Sequence, residues 1–325
     1  MDPEQASPSV YEQLRAQGMT RRGFLQFCGY MATLLALPAG AAKEIEQALQ
    51  SKRRPSVIWI SIQECTGCSE SLLRSFEPTL EGLILDQFSL DYHHVLQAAA
   101  GRQAEAARDN AIKQNWGKYV LIVDGGIPQG ADGALSTTGG RAGIEILQSA
   151  AQGAALIVSV GTCAAFGGIP AAAPNPTQAT GASQALAELR ASGKVKAPII
   201  NVPGCPPVPE VMTGVLVYYL TYGKPPPLDD LLRPVPFFGR TVHDDCPRLP
   251  FYNEGLFAKS FDDEGARKGY CLLELGCKGT VTFNACTVIK WNQGTSFPMK
   301  SGHGCLGCSQ PGFWDRKGGF YGRVG

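Results

Sequence analysis

Between residues 57 and 222 the chain alternates continuous apolar runs with stretches of helical spacing. Val57-Ile58-Trp59-Ile60-Ser61-Ile62, Tyr119-Val120-Leu121-Ile122-Val123, Ala155-Leu156-Ile157-Val158-Ser159-Val160 and Pro198-Ile199-Ile200-Asn201-Val202 read as strands buried on both faces. Residues 95–114, 141–152, 184–192 and 210–222 read as the helices between and after them. Apolar strands alternating with helices predict a parallel sheet covered on both sides, the doubly wound, flavodoxin-like α/β class. Beyond Tyr222 the periodicity fades, and Lys224-Pro225-Pro226-Pro227 marks a boundary. Two domains are expected, a sheet domain over 52–224 and a loop-rich domain over 225–325.

The front of the chain has a different pattern. Thr20-Arg21-Arg22-Gly23-Phe24-Leu25 opens an apolar run to Pro38, followed by the small residues Ala39-Gly40-Ala41-Ala42. Paired arginines, a short apolar stretch and small residues make residues 1–42 an expected export leader of the twin-arginine type. The alternative is an amphipathic N-terminal helix that contains two arginines. The twin-arginine route carries folded proteins, so its cargo reaches an oxidising compartment, here the periplasm, with cysteines already committed to metal. Cys28 lies inside the leader, outside any ligand count. A basic linker, Lys52-Arg53-Arg54-Pro55, leads into the first strand. No later apolar stretch approaches the ~20 residues of a membrane span, so no transmembrane anchor is expected.

Composition sharpens this in one respect. The 325 residues carry 29 basic and 28 acidic side chains, a balance that gives no reason to expect nucleic acid as a partner. Eleven cysteines are too many for an ordinary core and too dispersed for a small disulfide scaffold, which leaves metal or cluster ligation.

Three of the four strands run straight into cysteine. Ile62 leads to Cys65 and Cys68, Val160 to Cys163, and Val202 to Cys205. Parallel strands put these loops along one edge of the sheet, where open α/β folds bind ligands. Four thiolates there suit a 4Fe–4S cluster or a tetrahedral zinc, and one close pair joined by two distant singles leans towards iron–sulfur. The remaining alternative is buried or disulfide-bonded cysteine. In the second domain, His243 and Cys246 have C-x2-C spacing with His in the first place, and Cys271 and Cys277 follow after 24 and five intervening residues. Together they make a His-plus-three-Cys site. Cys286, Cys305 and Cys308 remain, three thiolates that suit a 3Fe–4S cluster. His93 and His94 read as structural, and His303 as a residue that orients a cluster sulfur.

Taken together, these motifs resemble the small subunit of nickel–iron hydrogenases. The resemblance runs from the leader to Gly312-Phe313-Trp314-Asp315, through E-C-T-G-C-S-E at 64–70, G-T-C at 161–163, P-G-C-P-P at 203–207, H-x2-C at 243–246, L-G-C-K-G at 275–279 and C-L-G-C at 305–308. It implies a proximal 4Fe–4S cluster on Cys65, Cys68, Cys163 and Cys205, facing a large subunit that holds the nickel–iron site. It implies a distal 4Fe–4S cluster on His243, Cys246, Cys271 and Cys277, and a medial 3Fe–4S cluster on Cys286, Cys305 and Cys308. The implied activity is electron transfer in hydrogen oxidation or formation, to or from an acceptor such as a cytochrome or a membrane redox subunit. Oxygen-tolerant members carry two further cysteines, one in place of Gly67 and one in the loop after Cys163; neither is present, so ordinary oxygen sensitivity is expected. Pro298 stands where some relatives have another cysteine, which favours three medial ligands. Glu64 and Glu70 flank the proximal pair, either as proton carriers or as solvated or paired carboxylates. Two other readings compete: a related respiratory oxidoreductase subunit, which accounts for 57–222 but not the ligands after 240, and a zinc or disulfide-stapled protein.

Overall fold

In a computed structural model of the chain, residues 9–16, 19–51, 54–76, 88–315 and 321–322 are described. Positions 1–8 and 17–18 of the expected leader, positions 52–53 of the expected linker and the last three residues lie outside them. Among the described residues, the main sheet has five parallel strands: β1 (Ser56–Ser61), β2 (Ser89–His93), β3 (Tyr119–Asp124), β6 (Ala154–Val160) and β7 (Ile199–Val202). A two-residue ribbon, β4 (Thr137–Thr138) with β5 (Arg141–Ala142), stands apart. The order β2-β1-β3-β6-β7 reverses direction at β1, the flavodoxin-like winding.

The four expected strands are all present within a residue or so of their expected ends. β2 is additional. It pairs only with β1, and three of its five residues are half-exposed, so it has no continuous apolar run to announce it. Helices α5 (Gly101–Gln114), α6 (Gly143–Gln152) and α10 (Pro209–Tyr222) fill expected positions, with α5 starting later because residues 94–96 turn and 97–100 are irregular. The stretch expected as one helix over 184–192 is two short ones, α8 (Ala182–Ala185) and α9 (Ala187–Ala191).

Side chains alternate across the sheet. Val57, Trp59, Ile122, Val158 and Val202 join α10 in one core, and Ile58, Ile60, Leu121, Ile157 and Ile199 join α5 and α6 in the other. Both faces are therefore dry, as parallel sheets require. Three N-terminal helices, α1 (Val10–Ala16), α2 (Arg21–Leu34) and α3 (Ala41–Ser51), add Phe24, Phe27, Met31 and Ile45 to the α10 side. Past Tyr222 the chain is turns, isolated bridges and short helical pieces around a small core of Val242, Phe297, Met299 and Cys305.

Candidate metal centres

All eleven cysteines lie among the described residues, and all are free thiols. The carboxyl ends of β1, β6 and β7 lead into the loops of Cys65, Cys68, Cys163 and Cys205 as parallel winding dictates. Two short helices aim them. α4 (Gly67–Leu73) starts inside the first pair, and α7 (Gly161–Phe166) carries Cys163. Their brevity hides them from periodicity. Gly161 has φ +84°, and a Cβ there would lie 2.5 Å from the Cys68 sulfur, so only glycine lets the β6 loop pass this close.

The thiols of this set sense one another. Burial raises the Cys68 thiol well above its ordinary value, and then Asp124, Cys163 and Cys205 push it further. Burial lifts Cys163 to about 11, with Asp124 and Cys65 adding to it. Cys205 reaches about 12 through burial and then Cys308, Cys163 and Cys65. Cys65 is the exposed member.

The second candidate set lines one small cavity. His243, Cys246, Cys271 and Cys277 surround it with Val242, Leu272 and Met299. His243 also meets the Tyr252 ring edge-on at 4.5 Å. Cys246 and Cys271 are raised by burial first, with the neighbouring thiols of the set adding to it. Cys286, Cys305 and Cys308 line a larger cavity of about 570 Å³ that also reaches Cys205 and Pro298. Burial and then Cys308 raise both Cys286 and Cys305, the latter to about 12. Among the described residues, no group of three or more His, Cys, Asp and Glu side chains is arranged to hold a single metal ion.

These sets adjoin in series. Cys308 is the thiol neighbour with the largest effect on Cys205. The Cys305 N–H donates to the Cys277 sulfur at 3.2 Å, and the Gly307 N–H to the Cys305 sulfur at 3.4 Å. The donor chemistry fits iron–sulfur clusters: soft thiolates, one imidazole, and backbone N–H groups directed at sulfur.

Several residues at these centres carry no motif. Thr162 accepts from Gly204 N–H at 2.9 Å and donates its hydroxyl proton to the Cys308 carbonyl, so it ties three cysteine loops together. Asp124 ends β3 beneath Cys68 at 1% exposure, with Oδ2 unpartnered. Burial and then the Glu64 charge push it up to about 7. Its only sequence signal is a charged residue closing an apolar strand. Lys278, fully buried next to Cys277, donates its backbone N–H to Cys305 O at 2.8 Å.

The other flagged residues fall as follows. Glu70 pairs with Arg74 at 2.6 Å on the surface, and Glu64 accepts from Thr66 N–H. His93 is core: Val95 N–H donates to its Nδ1 at 3.1 Å, and its Nε2 meets Ser69 Oγ at 3.3 Å. His94 accepts from Ser61 N–H and meets Tyr92 OH at 2.9 Å. His303 Nδ1 donates to Gly304 O at 2.8 Å, and its ring stacks on Phe261, beside the Cys305 loop.

Comparison with known proteins covers nearly the whole chain. Residues 238–321 match the family described as the C-terminal part of NiFe/NiFeSe hydrogenase small subunits. Residues 65–219 match that described as NADH ubiquinone oxidoreductase, 20 Kd subunit. The chain is 49% identical to the uptake hydrogenase small subunit of Afipia carboxidovorans, over 97% of this chain and 84% of that one. It is 48% identical to the hydrogenase-1 small chain of Escherichia coli, over 97% and 82%. Among solved structures, the reduced, active Ni-Fe-Se hydrogenase of Desulfomicrobium baculatum is similar with a TM-score of 0.77 at 35% identity, covering 84% of this chain and all of that one. The actinobacterial-type NiFe-hydrogenase of Ralstonia eutropha gives 0.75 at 29% identity, covering 84% of each. The sheet domain alone is shared with the respiratory oxidoreductase family, while the segment after 238 matches the hydrogenase one.

Proposed function

The chain belongs to the small subunits of nickel–iron hydrogenases, and from that premise we propose that it conducts electrons through three iron–sulfur clusters in a row. As a member it is the electron-transfer subunit of an oxidoreductase acting on H2, and it pairs with a large subunit that holds the catalytic site. The finer reading assigns a proximal 4Fe–4S cluster to Cys65, Cys68, Cys163 and Cys205, and a medial 3Fe–4S cluster to Cys286, Cys305 and Cys308. A distal 4Fe–4S cluster goes to His243, Cys246, Cys271 and Cys277. The observation that carries it is the serial arrangement of the sets: Cys205 and Cys308 line one cavity, and the Cys305 N–H donates a hydrogen bond to the Cys277 sulfur.

Bound clusters supply one-electron redox sites spaced for short hops. This chain's residues do the rest. The exposed Cys65 loop is the natural face for the large subunit. Buried thiols surrender protons when they take up iron, so loading is coupled to proton release. Backbone N–H groups at Cys277 and Cys305 stabilise negative sulfur and so tune potential. His243 would hold the distal cluster through an imidazole nitrogen, which brings no negative charge where a thiolate would, and this would raise the distal potential relative to an all-thiolate site. Residues 1–42 act as the twin-arginine leader to the periplasm. The acceptor beyond the distal site is a cytochrome or membrane redox subunit; among the described residues no helix is long and apolar enough to cross a membrane. Iron analysis with Cys271→Ala and Cys286→Ala heterodimers tests the grouping. Each variant loses the iron and spectrum of its own cluster only; loss of the proximal signal in either one contradicts it.

A further inference from the structure

A peptidase acts on extended chain, yet residues 20–42 of the expected leader are wound onto the folded domain. Thr20 caps α2 by accepting from Gly23 N–H at 3.1 Å. Phe24, Phe27, Cys28 and Met31 face inward and belong to the same core as Val158 of the sheet and Val215 of α10. α2 and α3 pack on each other and on α10. A methyl at Gly214 of α10 would stand 3.4 Å from Leu34 Cδ2. At the far end of α10, Tyr222 OH donates to Glu44 Oε2 at 2.8 Å.

The outer face is different. Arg21, Arg22 and Leu25 are exposed. The arginines occupy the first turn of α2, which has no acidic residue, and there the helix dipole disfavours cations. The helix is therefore held by its cap and its buried face, not by its own electrostatics, and is poised to peel away from the arginine end.

We propose that residues 20–51 form a docked strap: α10 seats the leader's apolar stretch in the uncleaved chain, the arginine pair stays on display, and the export machinery takes the leader from an undocked minority state. The last clause rests on the export reading of residues 1–42; the docking does not. The strap hides an apolar segment from aggregation while the clusters are installed, and it sets how readily the leader is surrendered.

Cys28 is a built-in reporter, since it is 1% exposed and outside the cluster candidates. The test is maleimide labelling of the uncleaved chain, in complex with its large subunit, read on the Cys28 peptide by mass spectrometry. Labelling is expected to be about tenfold or more slower than in a synthetic 20–42 peptide; equal rates overturn the docking. Tyr222→Phe and Ile45→Asp change α10 and α3 but not the leader itself. Both are expected to speed Cys28 labelling and leader removal in cells, Ile45→Asp the more. If Ile45→Asp does not fold, as judged by hydrogen uptake of its complex, Tyr222→Phe carries the test. Faster labelling with unchanged leader removal overturns the control of export. A protected Cys28 in a chain that cells never process supports the docking and overturns the export reading.

Discussion

Thr162 joins three loops through one hydroxyl, accepting from Gly204 N–H and donating to Cys308 O. Thr162→Val keeps the shape and leaves both groups without a partner. It is expected to cost about 1–3 kcal/mol in the folded heterodimer, read by thermal unfolding, and to broaden the proximal cluster's EPR signal. His93 sets a pH limit. Burial first and then His94 hold its pKa down at about 4, below the usual histidine value of 6.5. A depressed folded pKa means that the stability is present above the unfolded value and lost as pH falls through the folded one. The unfolding temperature should therefore drop as pH falls from about 6.5 towards 4, and His93→Gln should flatten that slope. An unchanged slope in the variant excludes His93 as the cause. At this scale the sequence singles out its candidate ligands, because thiols and a spaced histidine are rare and chemically specific, and the fold gathers His243, Cys246, Cys271 and Cys277 around one cavity. It does not reveal Thr162 or Asp124. Their roles come from chain crossings, and each is an ordinary residue in its own neighbourhood.

The cysteines are delivered by strand ends, and strands are the most legible elements. β3, β6 and β7 are continuous apolar runs because both faces of the sheet are covered. Leu156, fully buried in β6, packs in the core beneath α10. Leu156→Ala should cost about 2–5 kcal/mol, measured by chemical unfolding, while leaving the iron content of the folded fraction unchanged. Edge and short elements are hidden for physical reasons. β2 is half-exposed and carries Asp91, and α4 and α7 span about two turns or fewer around Cys68 and Cys163. The chain beyond Tyr222 has no period at all, so only the spacing of its candidate ligands is readable. Gly168 shows how local backbone limits change: at φ +54° a Cβ would lie 2.7 Å from the Cys163 backbone. Placing cysteines at Gly67 and Gly168 is therefore expected to cost proximal iron, assayed colorimetrically, and not to confer hydrogen uptake in air.

Over the whole molecule, the two halves matter through their contact. The respiratory oxidoreductase likeness ends at residue 219 and the hydrogenase-specific one starts at 238. Cys205 and Cys308 line one cavity across that division. On the proposed row of clusters, an electron path between a partner's catalytic site and the outer surface uses both halves. Cys286→Ala is thus expected to slow hydrogen-dependent dye reduction about tenfold or more by removing the middle hop, with subunit pairing intact by gel filtration. The most direct test is EPR of the purified heterodimer with iron analysis. The row of clusters predicts about eleven iron atoms in this subunit and an oxidised 3Fe–4S signal that disappears under hydrogen. Full iron loading without that signal, or zinc in place of iron, would contradict it.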